Sequence, residues 1–206
     1  MSERPPIIEH VNGRVEARWS DERAGTGIAV DFDAIALLGG DAAVRSMPLV
    51  RACGRDLAKA GATLVDATAG LGYDAYLLAI AGFRVIAFER SRGVVQLLED
   101  GLRRGKRATF ELRHADARPL LATLDADVIY LDPMYPPKRR ASALPPKDMQ
   151  IVRAIVGADV DARDLFDAAR SAAPRVVVKR PLHAESFGVP TSTVAGKLAR
   201  FDVYIR

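Results

Sequence analysis

The chain has 206 residues, 49% of them apolar, so it can bury a core of its own. No run of about 18 apolar residues exists, which excludes a membrane span, and the net charge of +4 favours a polyanionic partner only weakly. Because Cys53 is the single cysteine and the first residues lack the apolar part of a secretory signal, we expect a soluble, cytoplasmic protein without disulfides.

Residues 1–50 are predicted to form a small β appendage that packs on a main domain at 51–206. Residues 15–19 alternate apolar and polar side chains as a half-buried strand does, and 28–32 is the predicted partner strand. The polar stretch at 21–27 between them contains two glycines and is typical of a turn. The predicted appendage is therefore a β-hairpin.

In the main domain, short apolar runs alternate with segments of helical periodicity. The predicted strands are 63–66, 84–89, 110–113, 127–131, 175–179 and 201–205. The predicted helices are 73–81, 92–104, 147–156 and 161–172. This alternation predicts an α/β, Rossmann-like fold with a mostly parallel sheet and helices on both faces. In such sheets, ligands bind beyond the carboxyl ends of the strands.

A glycine-rich turn at 66–72, Asp-Ala-Thr-Ala-Gly-Leu-Gly, follows the first of these strands. Gly70 and Gly72 allow the backbone to approach a ligand closely, and a predicted helix begins directly afterwards. The glycines also fit the loose dinucleotide-binding pattern, so they do not separate a nicotinamide enzyme from a methyltransferase. Asp66 would repel a pyrophosphate but attract the ammonium and sulfonium groups of S-adenosylmethionine, and so it favours the methyltransferase.

Two further acids follow predicted strands. Glu89 ends the second strand, where its two oxygens can accept both ribose hydroxyls of an adenosine cofactor. Asp116 follows the third strand and can accept a hydrogen bond from the adenine amino group. Since the ends of parallel strands meet at one edge of the sheet, we expect these acids to share one site with Asp66.

The segment Asp132-Pro133-Met134-Tyr135, after the fourth strand, favours a particular reaction. An exocyclic base amine is a weak nucleophile because its lone pair is delocalised into the ring. The carboxylate of Asp132 and the rigid carbonyl of Pro133 can each accept one N–H, while Tyr135 stacks on the extracted base. Proline keeps the turn stiff and offers only acceptors. The segment resembles the (Asp/Asn)-Pro-Pro-(Tyr/Phe) motif of amino-methyltransferases, with Met134 in place of the second proline.

Six cations are predicted to surround the same cleft and to contact the phosphates of RNA. They are Lys138, Arg139, Arg140, Lys147, Lys179 and Arg180. Each phosphate contact would add salt-dependent affinity. The sequence therefore predicts a nucleic-acid substrate.

Several of these segments together resemble the ribosomal RNA small-subunit methyltransferase J family, from about residue 61 to the end. The most specific are 130–136, Tyr-Leu-Asp-Pro-Met-Tyr-Pro, and 175–181, Arg-Val-Val-Val-Lys-Arg-Pro. The others are 66–74, Glu89-Arg90, 98–102, Lys147-x-Met149 and 200–204.

The resemblance implies a class I methyltransferase fold with a seven-stranded sheet. It also implies transfer of a methyl group from S-adenosylmethionine to N2 of one guanine near the 3′ end of 16S rRNA. The partner would be that RNA or the small ribosomal subunit, with no metal and no membrane, and a monomer is favoured. One departure is that 33–50 contains Arg45 as its single cation, whereas the family usually has clustered arginines there.

Site residues follow from the same resemblance. Asp132 would be the catalytic acceptor, and the amino-methyltransferase motif assigns Pro133 and Tyr135 their carbonyl and stacking roles. The predicted cofactor contacts are Asp66, Ala67, Thr68, Ala69, Gly70, Gly72, Asp74, Glu89, Arg90, Asp116 and Asp132.

Three alternatives remain open. The Asp132 segment fits the exocyclic amine of an adenine or a cytosine, in RNA or DNA, as well as that of a guanine. A nicotinamide-dependent oxidoreductase would require Asp66 and the Asp132 segment to be accidental. A binding module without activity would have no need of both Asp132 and Tyr135.

Overall fold

The structure is a computed structural model, and it describes residues 5–34, 40–134, 146–157 and 161–206. The helices and strands are β1 (Pro6–Val11), β2 (Arg14–Trp19), α1 (Asp41–Ser46), α2 (Pro48–Cys53), α3 (Arg55–Lys59), β3 (Thr63–Asp66), α4 (Tyr73–Ala81), β4 (Arg84–Glu89), α5 (Arg92–Arg104), β5 (Glu111–His114), β6 (Val128–Leu131), α6 (Lys147–Val156), α7 (Ala162–Ala172), β7 (Arg175–Pro181), β8 (Ser192–Ala195) and β9 (Ala199–Ile205). No described helix is both long and apolar enough to cross a membrane.

The N-terminal hairpin forms, but with a different partner strand from the one predicted. β2 pairs along its whole length with β1, whereas Ile28 makes a single antiparallel bridge to Ala17. Asn12 and Gly13 connect the two strands with φ of 50° and 80°. These values suit the tight two-residue turn that Asn-Gly favours, since its twist matches that of the strands. The predicted pairing with 28–32 was therefore wrong.

Seven strands form the main sheet, in the order β5-β4-β3-β6-β7-β9-β8. β3 to β7 are mutually parallel, and β9 runs antiparallel between β7 and β8. The chain moves outward from β3 through β4 to β5 and then crosses to β6 on the other side of β3. This reversal places a crevice at the carboxyl ends of β3 and β6, where open α/β sheets bind ligands. The predicted mostly parallel, Rossmann-like fold is confirmed.

Each face of the sheet is covered by helices and has its own apolar cluster. Leu64 and Tyr130 lie on the face covered by α4 and α5, while Val65 and Ile129 lie on the face covered by α7. Side chains alternate along each strand, and both faces are buried, as expected for a parallel sheet.

The first 50 residues pack closely on the rest of the chain. The hairpin contacts α5 and α6, and the helices α1 and α2 contact α4 and β9. Val30 belongs to the same apolar cluster as α5, and it comes so close to Gly101 that a Cβ there would lie 2.4 Å from a Val30 methyl carbon. The predicted division at residue 50 falls within α2.

Candidate active site

A cavity of about 280 Å³ lies at the carboxyl ends of β3, β4 and β6. Its size is close to the lower end of the range for small-molecule pockets, about 300–1,000 Å³. The cavity is lined by thirteen of the predicted site residues, namely Asp66, Ala67, Thr68, Ala69, Gly70, Gly72, Asp74, Glu89, Arg90, Asp116, Asp132, Pro133 and Lys179. Apolar side chains complete the wall, among them Phe88, Met134, Val152 and Leu165.

The glycine-rich turn between β3 and α4 forms the floor of this cavity. Gly70 and Gly72 have φ of 53° and 75°, in the left-handed region that favours glycine. A Cβ on Gly72 would lie 2.4 Å from Leu98 Cδ2, so the core behind the turn also requires glycine there. At Gly70 the nearest atom to such a Cβ would be 3.9 Å away. The turn is therefore packed tightly at its end and left open on the cavity side.

Glu89 joins the turn after β3 to the turn after β4. Its Oε2 accepts a hydrogen bond from the backbone N–H of Gly70 at 3.0 Å, and its Oε1 accepts one from the N–H of Ser91 at 2.7 Å. In a dinucleotide-binding protein, the N–H groups of such a turn face a phosphate. Here the N–H of Gly70 faces a carboxylate, which would oppose a phosphate at this position.

Asp66 ends β3 and is buried, with 1% of its surface exposed. Its Oδ1 accepts a hydrogen bond from the backbone N–H of Thr68 at 3.0 Å. Burial, together with the nearby carboxylates of Asp74 and Asp132, raises the pKa of Asp66 to about 8, although the Thr68 hydrogen bond and Lys179 oppose the shift. A cation that entered the cavity would favour the ionised carboxylate.

Asp132 lies across the crevice from Asp66, just after β6. Its backbone N–H donates to Thr68 Oγ1 at 2.6 Å, which joins the two loops. Its Oδ2 accepts a hydrogen bond from the ammonium group of Lys179 at 2.9 Å. Pro133 follows and is buried. The carboxylate of Asp132 is about one-third exposed, so a substrate in the cavity can reach it.

The six predicted RNA contacts do not share one environment. Lys179 lines the cavity, but Arg180 is 7% exposed, and its guanidinium carbon lies 4.4 Å from the centre of the Phe187 ring. Neighbouring residues of a strand point to opposite faces, so the two side chains enter different environments. Lys147 faces the turn after β2, where it pairs with Glu22 at 2.8 Å.

Four predicted site residues lie outside the described residues. They are Tyr135, Lys138, Arg139 and Arg140. Their roles in base stacking and RNA binding stay predictions.

An ion-pair network at the far end of the cavity was missed from the sequence. Arg118 pairs with Asp116 at 3.1 Å and with Asp161 at 2.9 Å, and Asp161 also pairs with Arg90 at 2.8 Å. The hydrogen bonds from Arg118 lower the pKa of Asp116 and keep it an ionised acceptor. The spacing Asp116-x-Arg118 was a usable local signal for part of this network. Asp161 comes from the distant start of α7, and nothing local in the sequence indicated it.

The charges of the cavity indicate which cofactor it fits. Seven carboxylates line it, among them those of Asp66, Asp74, Glu89 and Asp132. S-adenosylmethionine carries an ammonium and a sulfonium and has no phosphate, so it matches this wall, whereas the pyrophosphate of a dinucleotide does not. Within the described ranges, no group of three or more His, Cys, Asp or Glu side chains could hold a metal ion. The fold and the cavity therefore define an S-adenosylmethionine-dependent methyltransferase.

Comparison with known proteins agrees with this class. The profile of the family "Putative SAM-dependent methyltransferase" matches residues 2–206. The ribosomal RNA small subunit methyltransferase J of Shewanella amazonensis is 44% identical over 90% of this chain and 81% of its own. That of Rhodopseudomonas palustris is 42% identical over 90% and 97%. This chain belongs to the ribosomal RNA small subunit methyltransferase J family.

A solved structure supports the same fold. The crystal structure of a SAM-dependent methyltransferase from Neisseria gonorrhoeae superposes with a TM-score of 0.74 and 30% sequence identity. The alignment covers 100% of this chain and 84% of that chain. The similarity thus extends through the N-terminal hairpin as well as the main sheet.

Proposed function

We propose that this protein transfers a methyl group from S-adenosylmethionine to the N2 amine of a guanine in 16S ribosomal RNA. The single observation that carries the proposal is the position of Asp132, an acceptor for an amine, in the same cavity as the acids that fit the cofactor. The names of the relatives support ribosomal RNA of the small subunit as the substrate. The cytoplasm, where ribosomal subunits are assembled, is the corresponding location.

Three acids of the cavity hold the cofactor. Glu89 accepts the ribose hydroxyls because its two oxygens match a vicinal diol. Asp66 pairs with the ammonium group, and Asp116, oriented by Arg118, accepts the adenine amino group. When bound, S-adenosylmethionine supplies a methyl group on a sulfonium, which is an electrophile that needs no metal. The glycine turn lets the backbone lie against it.

The residues after β6 prepare the amine. The carboxylate of Asp132 accepts one N–H of the base amine, which orients the nitrogen and draws its lone pair out of the ring. The carbonyl of Pro133 accepts the other N–H, and Tyr135 stacks on the base once it has left its helix. After methylation the nitrogen is strongly acidic, so its extra proton passes to water or to the Asp132 carboxylate, and no stronger base is needed.

The RNA backbone is held by cations near this loop. We assign that role to Lys138, Arg139 and Arg140, which follow the Asp132 segment directly in the sequence. Arg180 is omitted because its side chain is buried beneath the loop after β7. Lys147 is also omitted, since it pairs with Glu22 of the N-terminal part.

The test is transfer of labelled methyl from S-adenosylmethionine to small subunits that lack the modification, followed by mapping of the labelled nucleotide. Free 16S rRNA and duplex DNA serve as the comparison substrates. We expect label on N2 of one guanine. Label on an adenine or cytosine amine would contradict the guanine assignment, and transfer to DNA alone would contradict the RNA substrate.

The contribution of the cations is tested separately. Replacement of Lys138, Arg139 and Arg140 by alanine should weaken binding of RNA and flatten its dependence on salt. An unchanged slope of log affinity against log salt would remove these residues from the RNA-binding surface. The matched control is Lys59→Ala, on exposed α3, which should leave the slope unaltered.

A further inference from the structure

The ammonium group of Lys179 joins two carboxylates that belong to different parts of the site. Its Nζ lies 2.8 Å from Asp74 Oδ2 and 2.9 Å from Asp132 Oδ2. The same Asp74 oxygen accepts a hydrogen bond from the hydroxyl of Tyr130 at 2.6 Å. We assign Asp74 to the cofactor and Asp132 to the substrate amine. One cation therefore contacts a carboxylate of the cofactor site and a carboxylate of the substrate site.

The sheet holds Lys179 in this position. Leu131 of β6 pairs in register with Val178 of β7, so Asp132 and Lys179 are neighbours one step beyond. Both point to the face of the sheet that carries Tyr130, because side chains alternate along each strand. Asp74 comes from the first turn of α4. β7, the first turn of α4 and the residue directly after β6 therefore each contribute one group to the arrangement.

The charges at this point require the lysine. Burial disfavours the ammonium form, but the carboxylates of Asp132 and Asp74 outweigh it and raise the pKa of Lys179 well above its usual value. The lysine is thus a permanent cation between two acids, and the buried Asp66 lies close enough to interact with both acids. Without that cation, like charges would favour protonation of one carboxyl, and a protonated Asp132 is a poorer acceptor for an amine.

We propose that Lys179 is a positioning residue of the methyl-transfer site, which keeps the Asp132 carboxylate ionised and aimed at the substrate amine by tying it to Asp74. The proposal rests on the proposed function. It replaces the role in phosphate binding that the sequence predicted for Lys179. The two roles can be distinguished by measurement. Loss of a phosphate contact would lower the affinity for RNA, whereas loss of a positioning contact would lower kcat through Asp132.

The experiment is a double-mutant cycle with Lys179→Met, Asp132→Asn and the double variant, with methyl transfer to small subunits as the assay. If Lys179 acts through Asp132, Lys179→Met should lower kcat at least tenfold in the wild-type background but less than threefold beside Asp132→Asn. The KM for RNA and the salt dependence of binding should stay within twofold. Lys59→Met, the same change at an exposed lysine of α3, is the matched control.

The pH profile gives an independent readout. With Lys179 present, turnover should be independent of pH from 6 to 9. In Lys179→Met the rate should fall on the acidic side of neutrality as Asp132 takes up a proton. A simple loss of structure would lower the rate at every pH and would not create this fall at acidic pH. If the methionine variant does not fold, Lys179→Gln keeps an N–H donor without the charge and takes its place in the cycle.

Three results would overturn the proposal. If the loss of kcat in the double variant equals the product of the losses in the two single variants, Lys179 does not act through Asp132. A raised KM for RNA with a flattened salt slope and unchanged kcat would restore the phosphate-binding role. In both cases the wild type still transfers methyl, so the proposed function stands. Absence of transfer by the wild-type protein to any RNA would refute both.

Discussion

Replacement of Asp66 by asparagine should make the ligand-free protein more stable at neutral pH, although it removes a cofactor contact. Asparagine keeps the oxygen that accepts the Thr68 N–H and removes the ionisable group. The pKa of Asp66 in the folded chain is about 8, compared with 3.8 for an ordinary aspartate. That difference corresponds to about 6 kcal/mol against the ionised form in the folded state.

The sign follows from proton counting. Between these two pKa values the folded protein holds a proton on Asp66 that the unfolded chain has released. The free energy of unfolding of the wild type therefore falls by about 1.4 kcal/mol per pH unit as the pH rises, and this loss ends above the folded pKa. Between pH 5 and 7 the asparagine variant should gain about 3 kcal/mol relative to the wild type.

Urea denaturation of both proteins at pH 5, 6, 7 and 8.5 measures this difference, because all other titrating groups are shared. A difference that does not change with pH would refute the reasoning about Asp66. Saturating S-adenosylmethionine should reverse the order of stability, since the wild type binds the cofactor more tightly. Calorimetry at pH 7 in buffers of different ionisation enthalpy should show proton release on binding to the wild type and less to the variant.

Three further predictions concern the same cavity. Asp132→Ala should bind S-adenosylmethionine within threefold of wild type by calorimetry but lower the rate of methyl transfer at least a hundredfold; near-normal turnover would remove its catalytic assignment. Glu89→Gln should weaken cofactor binding at least tenfold, because one ribose acceptor and a charge are lost, and unchanged affinity would contradict that contact. Gly72→Ala should lower the unfolding free energy by about 2–3 kcal/mol, since a Cβ would strike Leu98 2.4 Å away. Gly70→Ala, which faces open space, should cost less, and equal losses would contradict the packing argument.

Much of the fold could be predicted because each strand of the parallel sheet is a short apolar run followed by a turn. β3, β4 and β6 were located in this way, and parallel strands bring their carboxyl ends to one edge. That rule alone was enough to place Asp66 and Glu89 in one cavity with the later acids. The roles of these residues stay predictions, but their proximity followed from local pattern and one topological rule.

What the sequence could not provide depends on contacts between distant segments. The hairpin partner was misassigned even though Asn12-Gly13 is a local turn signal, because 28–32 is also a plausible strand by composition. The short helices α1–α3 and the edge strand β8 were not predicted. The separate environments of Lys179 and Arg180 follow from the alternation of side chains along β7, a local signal that the prediction of six cations around one cleft did not use.

The hairpin also bears on the cofactor cavity, although none of its residues lines it. α6 provides Met149, Val152 and Val156 to the cavity wall and rests on β1, β2 and α5. Lys147, at the start of this helix, is anchored to Glu22 and to the carbonyl of Thr26. The first strands thus support α6, and we expect the width of the cavity to depend on residues that do not line it. We expect substitutions in the hairpin to weaken binding of S-adenosylmethionine even when every residue that lines the cavity is unchanged.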